Sequence, residues 1–365
     1  MPSVAIIGTR GYPSYYGGFE TAVRKLAPFL CDAGWDVTVF GRPGSVKSDD
    51  PDRDPRVRTV QTRGLETRSL STLSYGFSSV RQAVREKFDV ALVMNVANGF
   101  FLPRFVRSGI PTLVNVDGIE WDRDKWNGFA KRVFHMGASC TAKSATELVF
   151  DAKAIGDRWR SEFKRDGVFI PYGGEERSEL PSPLGLKRRS YTLLVARFVP
   201  ENSISEFFSA VPALSELGPV VLVGSTGYGG PLDEEAGRLA SELHNVHYLG
   251  HVADDDLLSA LWQNAGAYFH GHSVGGTNPA LVQAMMLGAP VVARSTVYNR
   301  EVLADEQQIC EPVPSNIVQM IEALLANPAE QERRSTANMA RARVHYNWPD
   351  ICAHYEHALR RLIKP

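Results

Sequence analysis

The segment from residue 270 to residue 293 contains the residues whose types and spacing say most about chemistry. It predicts a strand end, a glycine-rich loop, a helix and then a second buried strand. Gly275, Gly276 and Thr277 stand where the helix is expected to begin. A helix N-terminus offers unpaired backbone N–H groups and a positive dipole end, and glycines let a ligand approach the backbone closely. The pattern predicts a phosphate-binding loop, although an ordinary βαβ unit can carry similar residues.

Polar side chains surround this loop. Asn278 and Thr277 could cap the helix or hydrogen-bond a ligand. His272 could contact a phosphate or a sugar, whereas His270, at the end of the strand, is expected to be buried.

Two further loops also follow predicted strands. Arg197 could hold a diphosphate through its planar fork of donors, or could form a surface ion pair. In the first loop, Gly17 and Gly18 could admit a substrate, and Glu20 is either functional or an acid favoured by the helix dipole. Gly8 and Gly11 lack the G-x-G-x-x-G spacing, which argues against a nicotinamide enzyme.

The segment 115–126 follows another predicted strand. Asp117 and Glu120 could orient or deprotonate a sugar hydroxyl, and Trp121 and Trp126 could stack on a sugar ring. A solvated loop with two anchoring tryptophans is the alternative. Two further residues complete the candidate acceptor contacts, namely Tyr16 and Arg123.

No convincing metal site is expected. Asp52-Arg-Asp54 lies in a charged loop, and Asp254-Asp-Asp256 suits the start of a helix. Asp122-Arg-Asp124 is better placed, but the cations that flank it would oppose a divalent ion. The sequence therefore predicts chemistry without a metal or a resident cofactor.

Composition excludes several classes of protein. The chain has 365 residues, of which 44% are hydrophobic and 22% charged, and its net charge is -1. This balance suits two globular domains and offers no global attraction to nucleic acid. No apolar run approaches the roughly 20 residues that span a bilayer. The scattered cysteines and the N-terminal strand, without a signal peptide, favour a cytoplasmic protein.

Predicted strands and helices alternate along the chain. This alternation predicts two doubly wound α/β domains, with a linker near residue 172 and a ligand cleft at the carboxyl ends of the strands. A Ser/Tyr-rich loop is expected at 69–79, and two helices are expected over 127–136 and 138–150. A final helix is expected to begin at Trp348.

Four motifs together resemble the GT-B glycosyltransferases of glycosyltransferase family 4, and in particular bacterial rhamnosyltransferase-type members. They are I-G-T-R-G-Y-P-x-x-Y-G-G-F-E at 7–20, V-D-G-I-E-W at 116–121, V-A-R-F-V-P-E-N at 195–202 and G-H-S-V-G-G-T-N-P-A-L at 271–281. The resemblance covers nearly the whole chain. It implies an acceptor domain at 1–172, a nucleotide-sugar domain at 173–348, and a helix over 349–365 that crosses back to the first domain.

The resemblance also implies roles for residues. Arg197 corresponds to the diphosphate-binding arginine, residues 275–277 to the loop around the donor phosphates, and Gly17, Gly18 and Glu20 to the N-terminal loop that faces them. Two positions depart from the family pattern: Asn202 stands near the place of a second phosphate-binding cation, and Gln283 replaces a ribose-binding glutamate. Charge neutralisation would then fall to Arg197, the helix dipole and Arg10. A neutral amide binds a hydroxyl less strongly than a carboxylate does, which weakly favours a deoxyribose donor.

The implied reaction is retaining transfer of a sugar, such as rhamnose or another hexose, from a dTDP-, UDP- or GDP-linked donor. The acceptor would be a saccharide or a lipid-linked saccharide in cell-surface polysaccharide synthesis. Two alternatives remain open: a nucleotide-sugar-binding regulator without turnover, and a GT-B-like epimerase. Basic and aromatic residues at 126–135 could touch the inner face of a membrane, although the same spacing suits an ordinary amphipathic helix.

Overall fold

The computed structural model describes residues 1–15, 17–44, 50–65, 71–123 and 126–363. The chain divides into two compact units. The first unit comprises Met1–Tyr172 and Trp348–Pro365, and the second comprises Gly173–Asn347. Each unit contains one parallel sheet with helices, so the predicted α/β class with two doubly wound domains is confirmed.

The first unit is built on a seven-stranded sheet in the order β3-β2-β1-β4-β5-β6-β7. Its strands are β1 Ser3–Ile7, β2 Asp36–Gly41, β3 Arg58–Gln61, β4 Val90–Met94, β5 Thr112–Asn115, β6 Glu147–Phe150 and β7 Val168–Phe169. Its helices are α1 Gly18–Asp32, α2 Ser71–Glu86, α3 Leu102–Arg107, α4 Gly128–Ser144 and α5 Lys153–Phe163. Adjacent strands pair in parallel, which leaves all carboxyl ends on one edge.

The second unit is built on a six-stranded parallel sheet in the order β10-β9-β8-β11-β12-β13. Its strands are β8 Thr192–Val195, β9 Val220–Val223, β10 Val246–Gly250, β11 Ala267–His270, β12 Val291–Arg294 and β13 Ile309–Cys310. Its helices are α6 Ile204–Leu217, α7 Pro231–Glu242, α8 Asp255–Asn264, α9 Pro279–Met286, α10 Val297–Leu303, α11 Pro314–Leu325 and α12 Pro328–His345.

Strand order reverses once in each sheet. In the first sheet the reversal lies between β1 and β4, and in the second it lies between β8 and β11. Ligands of doubly wound proteins bind beyond the carboxyl ends of the strands at such a switch point. The loops that leave these four strands are therefore the first places to look for function.

Helix α13, Trp348–Leu362, belongs to the first unit although it follows the second along the chain. Its apolar face packs in the core that also contains Leu26 and Trp35. The indole N–H of Trp35 donates to Glu356 at 3.1 Å, and the buried Asn115 amide donates to the Tyr355 hydroxyl at 2.7 Å. Buried apolar surface and paired polar groups therefore both hold this helix on the unit.

Two local predictions were wrong. The expected Ser/Tyr-rich loop at 69–79 is largely helix α2, whose buried face consists mainly of small residues such as Gly76 and Ser79. The two helices expected over 127–136 and 138–150 are one continuous helix, α4, which ends at Ser144, and Glu147–Phe150 forms strand β6. The Asp254 side chain accepts hydrogen bonds from two backbone N–H groups of α8, which confirms its predicted position at a helix start.

None of the described helices combines the length and apolar character needed to cross a membrane.

We predict that Tyr355→Phe lowers the free energy of unfolding by about 1–3 kcal/mol, because it leaves the buried Asn115 amide without its acceptor. Urea denaturation followed by tryptophan fluorescence measures the change. Tyr228→Phe serves as the matched control, since Tyr228 is 85% exposed. Equal stability of the two variants would contradict the assignment of α13 to the core of the first unit.

Candidate active site

Arg197 lies in the loop that follows β8, just beyond the end of the strand at Val195, at the switch point of the second sheet. The side chain is exposed, and within the described ranges it has neither a hydrogen-bond partner nor an ion-pair partner. The predicted alternative of a surface ion pair is therefore not observed among these residues. An exposed guanidinium at this position can donate a fork of hydrogen bonds to a diphosphate or a carboxylate.

The loop between β11 and α9 lies beside Arg197 in strand order. Gly275 has a φ of +103°, which side-chain-bearing residues rarely adopt, so glycine is required there. Helix α9 begins at Pro279, slightly later than predicted, and the Asn278 side chain caps it by accepting from the Ala280 N–H at 3.0 Å. Gly276 and the buried Thr277 lie between these points. The loop therefore leads to a helix N-terminus that can attract an anion.

Polar contacts tie the β11–α9 loop to the loops that follow β8 and β12. The buried Ser203 hydroxyl donates to the Gly271 carbonyl at 2.8 Å and accepts from Arg294 at 2.8 Å. The Asn299 amide donates to the His272 carbonyl at 3.1 Å. Sequence reasoning missed these residues, although the position of Arg294 at a strand end could have indicated it. The three loops form one connected network rather than independent turns.

Asn202 and Gln283, which were predicted to bind the donor, contact backbone groups in this structure. The buried Asn202 amide donates to the Arg197 carbonyl at 2.8 Å and so shapes the β8–α6 connection. The Gln283 side chain accepts from the Glu175 N–H at 2.8 Å and donates to the Glu175 carbonyl at 2.9 Å. Both residues hold backbone segments in place, because their amides match backbone donors and acceptors.

The two histidines of the segment lie face to face. His270 is fully buried, as predicted, and its ring centroid lies 4.4 Å from that of the half-buried His272, with 11° between the ring planes. The Tyr268 hydroxyl lies 3.0 Å from His270 Nδ1. Burial holds the pKa of His270 well below its usual range, and the electrostatic interaction with His272 lowers the pKa further.

In the first unit, unusual backbone conformations follow two neighbouring strands. Asn95 after β4 has a φ of +71°, and the half-buried Asp117 after β5 has a φ of +62°. The Asn115 side chain accepts from the Asp117 N–H at 2.9 Å, and the Asn95 amide lies 3.4 Å from an Asp117 oxygen. Strained residues held by their surroundings often occur at functional sites, so Asp117 remains the best candidate to bind an acceptor.

The edge of the sheet near Asp117 carries further negative charge. Burial, then the carboxylates of Asp117 and Asp151, raises the pKa of Tyr172 well above its usual range, and Glu20 contributes to the same shift. Tyr172 therefore remains protonated at neutral pH, and three carboxylates are concentrated at this part of the first unit. Such an edge can accept hydrogen bonds from several hydroxyl groups.

The residues Glu120, Arg123 and Trp126, which were predicted to act in the site of the first unit, contact one another. The buried Glu120 carboxylate pairs with Arg123 Nε at 2.6 Å and accepts from the Trp126 indole N–H at 2.8 Å. These three side chains fold the segment after β5 onto itself.

Trp121, which was predicted to stack on a sugar ring, is buried. It is only 8% exposed and makes edge contacts with His135 and Phe163 at 5.5 and 5.8 Å between ring centroids. The ring is therefore part of an internal aromatic cluster, where burial and edge-to-face contacts stabilise it.

The loop between β1 and α1 is fixed by Glu20. This carboxylate accepts from the Arg10 N–H at 3.1 Å and is buried in the first turn of α1. Gly17 and Gly18 precede it at the helix start and are half-buried. The predicted acceptor residue Tyr16 lies outside the described residues.

Among the described residues, no group of three or more His, Cys, Asp or Glu side chains is arranged to hold a metal ion. Asp124, one of the two acids in the Asp122-Arg-Asp124 pattern, lies outside those residues.

Two family matches cover most of the chain. Residues 17–173 match the family described as glycosyl transferase 4-like domain, and residues 176–343 match glycosyl transferases group 1. No curated protein matches the chain. The matches, together with two Rossmann-like units, identify the chain as a glycosyltransferase of the GT-B class.

Solved structures with the same fold align over nearly their whole length. Sucrose-phosphate synthase from Thermosynechococcus elongatus is 18% identical to this chain in sequence, and the alignment covers 99% of each chain with a TM-score of 0.80. HepE from Anabaena, in complex with UDP and glucose, is 16% identical, covers 99% of each chain and has a TM-score of 0.77. UDP-forming α,α-trehalose-phosphate synthase from Burkholderia xenovorans is 14% identical, covers 100% of each chain and has a TM-score of 0.73.

Proposed function

We propose that this glycosyltransferase moves a hexose, such as rhamnose, from a nucleotide-diphosphate sugar to a hydroxyl of a saccharide or lipid-linked acceptor, with retention at the anomeric carbon. The observation that carries the proposal is that Arg197 and the α9 N-terminal loop follow two neighbouring strands, β8 and β11, at the switch point of the second unit. A cation and a set of backbone N–H groups are the chemistry that a leaving diphosphate needs. No resident metal is required for this arrangement.

The donor would bind to the second unit. Arg197 would pair with the diphosphate, while the N–H groups around Gly275, Gly276 and Thr277 would stabilise the charge that develops as the glycosidic bond breaks. UDP-linked donors are supported by the UDP in the HepE structure, and dTDP-linked donors by the absence of a ribose-binding carboxylate at Gln283. GDP-linked donors complete the set to be compared.

The acceptor would bind to the first unit. Asp117 would accept a hydrogen bond from the acceptor hydroxyl and orient it for attack. The carboxylate is half-buried and its backbone is fixed by Asn115, so its direction is set before the acceptor arrives. We assign no covalent nucleophile.

A lipid-linked acceptor would place the enzyme at the inner face of a membrane. Helix α4 contains three cations and no acid, and Phe129, Arg132, Met136 and Lys143 recur at helical spacing on one exposed face. Phe129 is 78% exposed and Met136 is 58% exposed. Phe134 and Trp126 pack against each other instead, at 5.1 Å between ring centroids. The exposed face suits contact with anionic lipid, which attracts cations and accepts apolar side chains.

Arg197→Ala is expected to weaken donor binding by about 10- to 100-fold, because it removes a charge-assisted contact with the diphosphate. Thermal stabilisation by UDP-, dTDP- and GDP-glucose measures the effect, since a ligand that binds the folded state raises Tm. Arg238→Ala on α7 is the control, because Arg238 is an exposed arginine that pairs with Glu235. Stabilisation that survives in Arg197→Ala would place the diphosphate elsewhere.

Asp117→Asn is expected to lower kcat about 100-fold while the donor Kd stays unchanged, because the amide orients but does not accept the proton as well. Release of nucleoside diphosphate in the presence of octyl glucoside, octyl galactoside or octyl N-acetylglucosaminide gives the rate. Asp122→Asn is the matched control, since Asp122 is exposed and lies 3.7 Å from Arg158.

The same assay separates transfer from the two alternatives. Donor binding without transfer or hydrolysis by the wild-type protein would favour a regulator. A change in the donor sugar without any acceptor would favour an epimerase. A loss of rate in Asp122→Asn equal to that in Asp117→Asn would contradict the role of Asp117.

Binding to the membrane is tested with the exposed face of α4. The wild-type protein is expected to sediment with vesicles of phosphatidylglycerol and phosphatidylcholine, and Arg132→Glu with Lys143→Glu is expected to reduce the bound fraction several-fold, because each basic residue near an anionic surface contributes about 1 kcal/mol. Val297→Ser with Val344→Ser changes exposed apolar residues of the second unit and serves as the control. A bound fraction that is unchanged by the α4 variants would refute the contact.

A further inference from the structure

The stacking of His270 and His272 limits the positive charge that the two rings can carry together. Their ring centroids are 4.4 Å apart and the rings are nearly parallel, so two positive charges would lie close together in a partly buried setting. Like charges at this distance disfavour double protonation. The pair therefore carries at most one positive charge near neutral pH.

The positive charge of the pair belongs on one of the two rings. His270 is fully buried, and burial disfavours its charged form, whereas His272 is half-buried. Burial also raises the pKa of Tyr268, so its hydroxyl stays protonated and can donate to His270 Nδ1 at 3.0 Å. A hydrogen bond donated by Tyr268 to Nδ1 would leave neutral His270 with its proton on Nε2, an atom that has no partner within the described residues.

His272 is held independently on its backbone side. Its carbonyl accepts from Asn299, the preceding Gly271 carbonyl accepts from Ser203, and the following Ser273 N–H donates to the Glu201 carbonyl at 2.9 Å. The backbone on both sides of the His272 ring is therefore fixed, and the stack with His270 is one of the contacts that orient the ring. This ring lies just before the loop that leads to the α9 N-terminus.

We propose that His270 is a positioning residue that holds His272 as the one imidazole of the pair that becomes positively charged beside a bound donor diphosphate. The inference rests on the proposed function for its ligand, while the division of the proton between the two rings is a property of the free protein. Protonated His272 would supply a second cation, which the family pattern provides near position 202 and which this chain lacks there because it has Asn202. A bound diphosphate favours the protonated ring, so affinity is greatest at low pH and falls as pH rises through the titration of His272.

Charged groups lie on the elements that neighbour the pair in the sheet. They are Arg197 and Glu201 after β8, Arg294 on β12, and Arg300 and Glu301 on α10. Arginine and glutamate ordinarily titrate far from pH 6–8, and Tyr268 stays protonated. A dependence on pH in this range therefore reports on the histidine pair.

The free protein provides the first test. Long-range ¹H–¹⁵N NMR spectra of the ¹⁵N-histidine-labelled full chain give the tautomer and protonation of each ring, with His272→Asn and His270→Phe used to assign the signals. We expect His270 to remain neutral with its proton on Nε2 at the pH where His272 is half protonated. Protonation of His270 before His272 would overturn the proposal, whether or not any nucleotide binds.

Donor binding provides the second test. UDP-glucose and dTDP-glucose are suitable probes, because their diphosphate diesters stay fully ionised between pH 6 and 8. For the probe that binds, Kd is expected to be about three- to tenfold lower at pH 6 than at pH 8, as uptake of up to one proton requires. Failure of both probes to bind at any pH would count against the proposed function and against the diphosphate role of His272, while the NMR result would stand by itself.

Variants separate the two rings. His272→Asn is expected to abolish the pH dependence, and His270→Phe, which keeps a flat ring, is expected to retain it. His270→Ala is expected to weaken binding about tenfold, with rescue by phenylalanine, and circular dichroism checks that each variant is folded. His244→Asn is the control, because His244 is exposed and lies at the opposite edge of the same sheet. Loss of the pH dependence in His270→Phe, or its retention in His272→Asn, would refute the assignment.

Discussion

Parallel strand pairing is the constraint on which the rest of this structure depends. Because adjacent strands in both sheets run in the same direction, the carboxyl ends of each sheet lie on one edge, and the polar loops must leave from that edge. The helices that return the chain cover the faces of the sheet and supply apolar side chains to the cores. Arg197, His272 and Asp117 are separated along the sequence, yet each follows a strand and emerges at such an edge.

The fold class and the strand-end loops could be predicted from the sequence because short runs of buried β-branched residues alternate with amphipathic helices. Helix α2 was missed, since Gly76 and Ser79 interrupt a buried face whose larger members are Tyr75 and Val80. Strand β6 has only four residues and begins shortly after α4 ends, so its apolar residues continued the pattern of the helix. Short apolar runs do not distinguish the two structures by periodicity.

The candidate site was predictable by position and less so by role. Residue types at strand ends indicated Arg197 and Asp117, and both are placed where a ligand could reach the edge of a sheet. The partners of Gln283 and Asn202 are backbone groups, which carry no signature in the sequence, and the partner of Gln283 is 108 residues away. The burial of Trp121 depends on aromatic residues of α4 and α5, which only the folded chain brings together.

The path of the chain through α13 has a consequence for the order of folding during synthesis. Residues 173–347 emerge from the ribosome between the two parts of the first unit, so the second unit can fold while the first still lacks a helix. Until residues 348–362 emerge, the surface that receives α13, including Trp35 and the amide of Asn115, stays open to water or to other proteins. The unit that begins first along the chain is therefore completed last, and chaperones would meet it as a nascent chain with an uncovered apolar face.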